Sequence, residues 1–170
     1  MRDVYVIGAA MRRFGKFPDL SVQEMGSEVV WRAIREAQIS IRDVQMAYCG
    51  HAYQGSTIGQ KVLSRLGMTG TPIVNVENAC ASGTTAAFGI WSAIASGMID
   101  VGIAVGVENL TRKVSGMLPL HPDDLDSSMG RVMPPLFAMI ARRHMTEYGT
   151  TVEQLAKISV KNHFHGSLNP

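Results

Sequence analysis

Residues 80–97 carry no charged side chain, and Ala86, Ala87, Phe88, Ile90, Trp91, Ala93 and Ile94 leave little polar surface among them. A helix without a polar face is buried on all sides. In a single small domain that would be odd, because helices there cover one face of a sheet and turn their other side to water. The segment therefore suits the middle layer of a stack, between two sheets. Its flanks agree with this reading. Ile73, Val74, Asn75 and Val76 follow Pro72 with strand character, and the run from Asp100 to Val107 reads as another buried strand. Strand, helix and strand make a β-α-β unit, whose crossover should be right-handed. The fold class is α/β.

The turn between the first of these strands and the helix delivers Cys80. A nucleophile at a sharp strand-to-helix turn is presented to a site and to the helix N-terminus together. Unpaired N–H groups and the helix dipole at that end favour a thiolate over a thiol. Ser82 and Gly83 supply no bulk, so a substrate carbonyl can approach the backbone there, and both are candidate substrate-binding residues. The competing reading makes Cys80 a small buried hydrophobe, a frequent use of a free cysteine. Spacing alone leaves the two readings level. Cys49 ends another apolar run and reads as structural.

The rest of the chain reads as scaffold. Val4 to Ala10 is a short apolar run that suits a buried strand, and no G-x-G-x-x-G follows Gly8, which excludes a dinucleotide fingerprint. Arg12 and Arg13 lie in a loop as solvated charges. Ser21 with Glu24 forms a capping box, Leu20 with Met25 a hydrophobic staple, and apolar residues recur at helical spacing from Val22 to Ala37. A strand is expected from Val44 to Gly50, then a loop containing His51, a candidate base by its chemistry alone but read first as a loop histidine at a subunit contact. Glu108 and Asn109 fall at the carboxyl end of a strand, where open α/β sheets keep their sites, with Glu108 fixing a loop by hydrogen bonds. Composition changes after Thr111: Pro119, Pro122, Asp123, Asp124, Asp126, Ser127, Ser128 and Gly130 make a long loop. Pro134-Pro135 starts a helix that runs to Tyr148, where Gly149 caps it. Another begins near Thr150, with Glu153 in capping-box position, and runs to about His163. His144, His163 and His165 have no metal-ligand spacing, so no metal is expected.

Bulk properties exclude several classes. At 170 residues, 46% hydrophobic and 18% charged, the chain can bury a core and is far from disorder. A net charge of +2 without a basic run argues against nucleic acid. No apolar stretch reaches membrane-spanning length, the N-terminus shows no secretory signal, and two cysteines make no disulfide framework. The expected location is the cytoplasm, away from any membrane.

Asn78-Ala79-Cys80-Ala81-Ser82-Gly83, after a Val-rich strand and before an Ala-rich helix, resembles the nucleophile segment of the thiolase superfamily. Phe14-Gly15, Gly59-Gln60 and Glu108-Asn109 resemble further stretches of that family. Residues 144–151, 156–163 and Asn169-Pro170 are similar to the loop domain of its sterol-carrier-protein type, rather than the biosynthetic acetoacetyl type. The resemblance implies a layered α-β-α-β-α fold of which this chain covers most of the N-terminal half (1–110, with Cys80) and the start of a mostly helical loop domain (111–170). It implies that Cys80 takes up the acyl group of a coenzyme A thioester. Leu136 then stands where many thiolases carry a pocket methionine beside the acyl group, with Phe137 next to it. Coenzyme A is a substrate, and no bound cofactor is implied. A homodimer or tetramer is expected, as is a zinc-ribbon/OB-fold partner in the branch whose members cleave 3-hydroxyacyl-CoA by retro-aldol chemistry. The family's second half, with its histidine base and second cysteine, has no counterpart here. The chain is therefore expected to be a truncated polypeptide, or a half that pairs with another chain. Two functions compete: thiolase-type acyl transfer or its aldolase variant, and a non-catalytic structural half.

Overall fold

The computed structural model describes residues 1–113, 118 and 123–168. The expected loop residues Pro119 and Pro122, and the Asn169-Pro170 end, lie outside the described residues. The chain divides into two compact units, Met1–Ser115 and Gly116–Pro170.

In the first unit a parallel sheet of β1 (Met46–Gly50), β2 (Ile73–Val76) and β3 (Gly102–Gly106) runs in the order β2-β1-β3. Gly50, at the end of β1, lies opposite Val76 on one side and Gly106 on the other. Alternation along β1 separates two layers. Ala47 and Cys49 enter the main core with Val22, Val30 and Ile34 of α1 (Val22–Ala37) and Ile58, Val62 and Leu63 of α2 (Ile58–Ser64). Met46 and Tyr48 point the other way, onto Ile90 and Ala93 of α3 (Ser82–Ala95). The chain moves from β1 to β2 through α2, then back past β1 to β3 through α3. Reversing direction while keeping one handedness of crossover requires opposite faces, and the two helices lie on opposite faces.

The start of α1 is a local matter of chemistry. The Ser21 hydroxyl accepts the Glu24 N–H, and the Glu24 carboxylate accepts the Ser21 N–H at 2.8 Å. The Ser21 hydroxyl also donates to that carboxylate at 2.6 Å, and this bond, followed by the Ser21 N–H, holds the Glu24 carboxyl below the usual range. Gln38 ends the helix in the left-handed region, at φ 57°.

One expectation fails in this unit. The apolar run Val4–Ala10 forms no strand. It is pinned at its ends, by the Arg2 N–H on the Ala95 carbonyl (3.0 Å) and the Ala9 N–H on Glu36 (2.7 Å), while Tyr5, Val6 and Ile7 stay exposed. An apolar run states a preference for burial, but a strand also needs a partner edge, and among the described residues no strand is hydrogen-bonded to it. In this unit α3 is covered on one side and open on the other, the arrangement expected of a middle-layer helix with one of its two sheets. One sheet covers its Ala86, Ile90 and Ala93 side, and stacked Phe88 (64% exposed) and Trp91 (44%) face outward.

The second unit is helical: α4 (Leu125–Ser128), α5 (Met133–Tyr148) and α6 (Val152–Ser167). Proline stands in the first turn of α5 and Gly149 closes it in the left-handed region, at φ 69°. The cap of α6 lies one residue beyond the expected position: Thr151 pairs with Gln154, not Thr150 with Glu153. The helix also runs past His163, to Ser167.

What seats α3 on the sheet is an absence of side chains. A Cβ on Gly50 would fall on the Ser82 carbonyl oxygen and within 2.8 Å of the Gly83 nitrogen, and one on Gly106 would come within 3.2 Å of the Gly83 Cα. Gly50→Ala therefore has to move the first turn of α3 off the sheet. The expected cost is about 3 kcal/mol, read as a fall in the urea unfolding midpoint.

Candidate active site

The turn that carries Cys80 lies between β2 and α3. Ala79, Cys80 and Ala81 form one 3-10 turn before the helix starts at Ser82. Ala79 sits in the left-handed region at φ 44°, which is costly for a residue with a side chain. The surrounding hydrogen bonds hold it there. The Ser82 hydroxyl accepts the Asn78 N–H at 2.8 Å and donates to the Ala79 carbonyl at 2.7 Å. The Glu77 carboxylate accepts the Ala79 N–H at 2.6 Å, and the Asn78 amide donates to the Thr85 hydroxyl at 3.0 Å. Cys80 emerges from this braced turn exposed, just before the N-terminus of α3.

The other candidate residues are placed differently. Ser82 is buried, with its hydroxyl engaged in the turn, and Gly83 lies against Gly106. Leu136 and Phe137 belong to α5 in the second unit, Leu136 half-buried and Phe137 exposed. Arg12 pairs with Glu28 and lies 4.7 Å above the Phe17 ring, so it fixes a loop instead of standing as a solvated charge. His144 and His163 are exposed and hydrogen-bonded, to Thr150 and to the Ser159 carbonyl. Among the described residues no group of His, Cys, Asp and Glu converges as a metal site, and no helix is long and apolar enough to cross a membrane.

Sequence reasoning missed what surrounds the turn. Asn109 is buried and its amide donates to the Phe17 and Leu20 carbonyls at 3.2 and 2.8 Å, tying the loop before α1 to the end of β3. The glycine seat was missed too, although Gly102, Ala104 and Gly106 alternate along β3 and mark a strand face kept small for a close helix.

With this geometry in hand, comparison with known proteins identifies the family. Residues 4–170 match the family described as "Thiolase, N-terminal domain", and the chain belongs to the thiolase family. It is 41% identical over 178 residues to the acetyl-CoA acetyltransferase of Methanothermobacter thermautotrophicus, a match covering 100% of this chain and 46% of that protein. It is 36% identical over 191 residues to sterol carrier protein 2 of Homo sapiens, covering 100% of this chain and 34% of that protein. The chain thus spans less than half the length of these relatives. Among solved structures, the Acat5 thiolase of Ascaris suum in complex with coenzyme A matches with a TM-score of 0.74 at 21% identity, over 94% of this chain and 47% of that one. The Ltp2-ChsH2(DUF35) aldolase matches with a TM-score of 0.62 at 24% identity, over 85% of this chain and 38% of that one. The fold is thiolase-like.

The two cysteines sit in opposite environments. Cys49 is fully buried in the core, and burial alone pushes its thiol from 9.0 up to about 12. The unfolded chain ionises this thiol from about pH 9, while the folded chain keeps the proton. The folded state therefore binds more protons between those values. Stability from this group is complete below pH 9 and falls as pH rises toward 12, by at most ~1.4 kcal/mol per pH unit. Iodoacetamide at pH 8 should label Cys80 and spare Cys49 until denaturant is added, read by peptide mapping. Cys49→Ala should flatten the alkaline loss of stability.

Proposed function

We propose that the chain carries the nucleophile of a thiolase-type acyltransferase that cleaves or forms 3-oxoacyl-CoA through an acyl-cysteine on Cys80. The observation that supports this best is the exposed Cys80 on a braced, strained turn at the carboxyl end of the sheet, in a chain of the thiolase family. In the cleavage direction the Cys80 thiolate attacks the C3 carbonyl carbon. The C2–C3 bond then breaks, its electron pair stays on C2 and takes a proton, and acetyl-CoA or another short acyl-CoA leaves. The shortened acyl group remains as a thioester on Cys80. The thiol of coenzyme A attacks that thioester, and the proton it loses returns to Cys80. Coenzyme A is thus a substrate, and no resident cofactor is needed. Ser82 serves the reaction by holding the turn, and Gly83 by letting the turn approach the sheet. The same proposal assigns the acyl chain to Leu136 and Phe137 of the second unit, a dimeric or tetrameric assembly, and a place in the cytoplasm.

A second reading is favoured by one observation, the fold shared with the Ltp2-ChsH2(DUF35) aldolase. In that case the chain takes part in retro-aldol cleavage of a 3-hydroxyacyl-CoA beside a small zinc-ribbon/OB-fold partner. Exposure of Cys80 weighs toward the thiolase reading, since retro-aldol cleavage forms no acyl-enzyme.

Incubation with 3-oxoacyl-CoA, followed by intact-mass measurement, should add the mass of the shortened acyl group to the protein and nothing to Cys80→Ser. Cleavage of 3-hydroxyacyl-CoA that survives Cys80→Ser would support the aldolase. Neither adduct nor cleavage would leave an inactive fragment or a structural half-subunit.

A further inference from the structure

The connections leaving β1 and β2 depart to opposite faces, toward α2 and α3. Such a divergence opens a crevice at the carboxyl ends of neighbouring strands. One lip is the Cys80 turn. The other is the loop 51–57, which begins next to it: Gly50 underlies Ser82 and Gly83, and the His51 N–H donates to the Val76 carbonyl at 3.2 Å.

The start of this second lip is held by Glu108, and Lys61 donates to the Ser56 carbonyl at 3.0 Å further along. The Glu108 carboxylate accepts the Ala52 N–H at 2.8 Å, the Tyr53 N–H at 3.3 Å and the side-chain amide of Gln54. Gln54 is itself buried to 9% exposure, so its amide has little water to turn to. Glu108 stands two residues beyond β3, and the Val107 N–H on the Gly50 carbonyl (2.9 Å) extends the β1–β3 pairing to its neighbour. Charge-assisted bonds from one anion to several neutral donors are the strong kind.

The loop would not hold this shape by itself. Thr57 lies in the left-handed region at φ 59°, and Nδ1 of His51 is buried without a partner. Strained backbone and an unpaired buried nitrogen persist only where the surroundings impose them, and such strain collects at ligand sites.

We propose that Glu108 is a positioning residue which fixes the loop 51–57 as the rigid lip facing Cys80, and so sets how an acyl-CoA carbonyl is aligned for attack. The choice of ligand rests on the acyltransferase reading; the lip itself does not. A misplacement of about 1 Å far from the reacting atoms is enough to slow a reaction roughly a hundredfold, so a loosened lip has a kinetic signature.

The test compares the protein with Glu108→Gln, which removes the charge and turns an amide group toward other donors. Expected are hydrogen exchange in 51–57 about tenfold faster and acyl transfer from 3-oxoacyl-CoA to Cys80 about tenfold slower at saturation. Alkylation of Cys80 by iodoacetamide should change less than about twofold, while its labelling by a bulky maleimide rises, so the ratio of the two rates shifts by about threefold or more. Adding Gln54→Glu to Glu108→Gln returns a carboxylate–amide pair and should recover part of each effect, which a general loss of structure would not. Should Glu108→Gln fail to fold, Gln54→Ala removes one donor alone and should shift the same readouts in the same direction, less far. Unchanged exchange in 51–57, or faster exchange with an unchanged reagent ratio, overturns the proposal. An absence of acyl transfer in the parent protein would sink the acyltransferase reading, and the reagent ratio would still decide the role of Glu108.

Discussion

The first turn of α3 rests directly on the backbone of the sheet, Ser82 and Gly83 against Gly50 and Gly106. No side chain intervenes, so the helix comes as close as backbones allow. Much else follows from that contact. It brings the start of α3 to the carboxyl ends of the strands, leaving the 79–81 turn at the rim. It also explains why Ala79 accepts a left-handed conformation: the distance from Val76 to Ser82 must be closed in a few residues, and the Ser82 hydroxyl locks the result on both sides of Cys80. A bulkier strand end would lift the helix and let the turn relax.

Several polar groups around the carboxyl ends of the strands act as fixers. Asn75 accepts the Gly59 N–H and joins the start of α2 to β2. Asn109 ties down the 17–20 loop, Glu108 the 52–54 loop, and Asn78 the first turns of α3. Each spends its hydrogen bonds on holding backbone or a neighbouring side chain. Cys80 is the exposed thiol among them, while Cys49 lies on the opposite face of the sheet within an apolar core. One chain thus holds a cysteine that packs and a cysteine that is exposed, and their surroundings rather than their identity separate them.

Features that rest on neighbours in the chain were legible in advance. The Ser21–Glu24 cap, the three strands of the sheet, the Gly149 stop and the sharp turn at Cys80 all follow from local chemistry and short apolar runs. The Asn78–Gly83 motif carried the family, which spacing alone could not. Features that need a distant partner were not legible. The apolar run Val4–Ala10 looks like a strand because its composition encodes burial, and nothing local reports whether an edge is there to receive it. Glu108 was readable as a loop-fixing group from its place after a strand, but its partners lie 54 to 56 residues away, and the sequence does not say which loop it holds. The small size of Ser82 was readable, but the hydrogen bonds of its hydroxyl to Asn78 and Ala79 were not.

The most direct measurement is the rate at which 3-oxoacyl-CoA acylates Cys80 in Gly106→Ala, set against the parent protein by rapid quench and intact mass. The added methyl meets the Gly83 Cα at 3.2 Å, tight enough to shift the nucleophile turn by a few tenths of an ångström without unfolding the sheet. If the glycine seat positions a catalytic cysteine, acylation should slow by about tenfold or more while the urea midpoint moves little. Equal acylation rates in the two proteins would contradict the seat, and a parent protein that never acquires the acyl group would contradict the role given to Cys80.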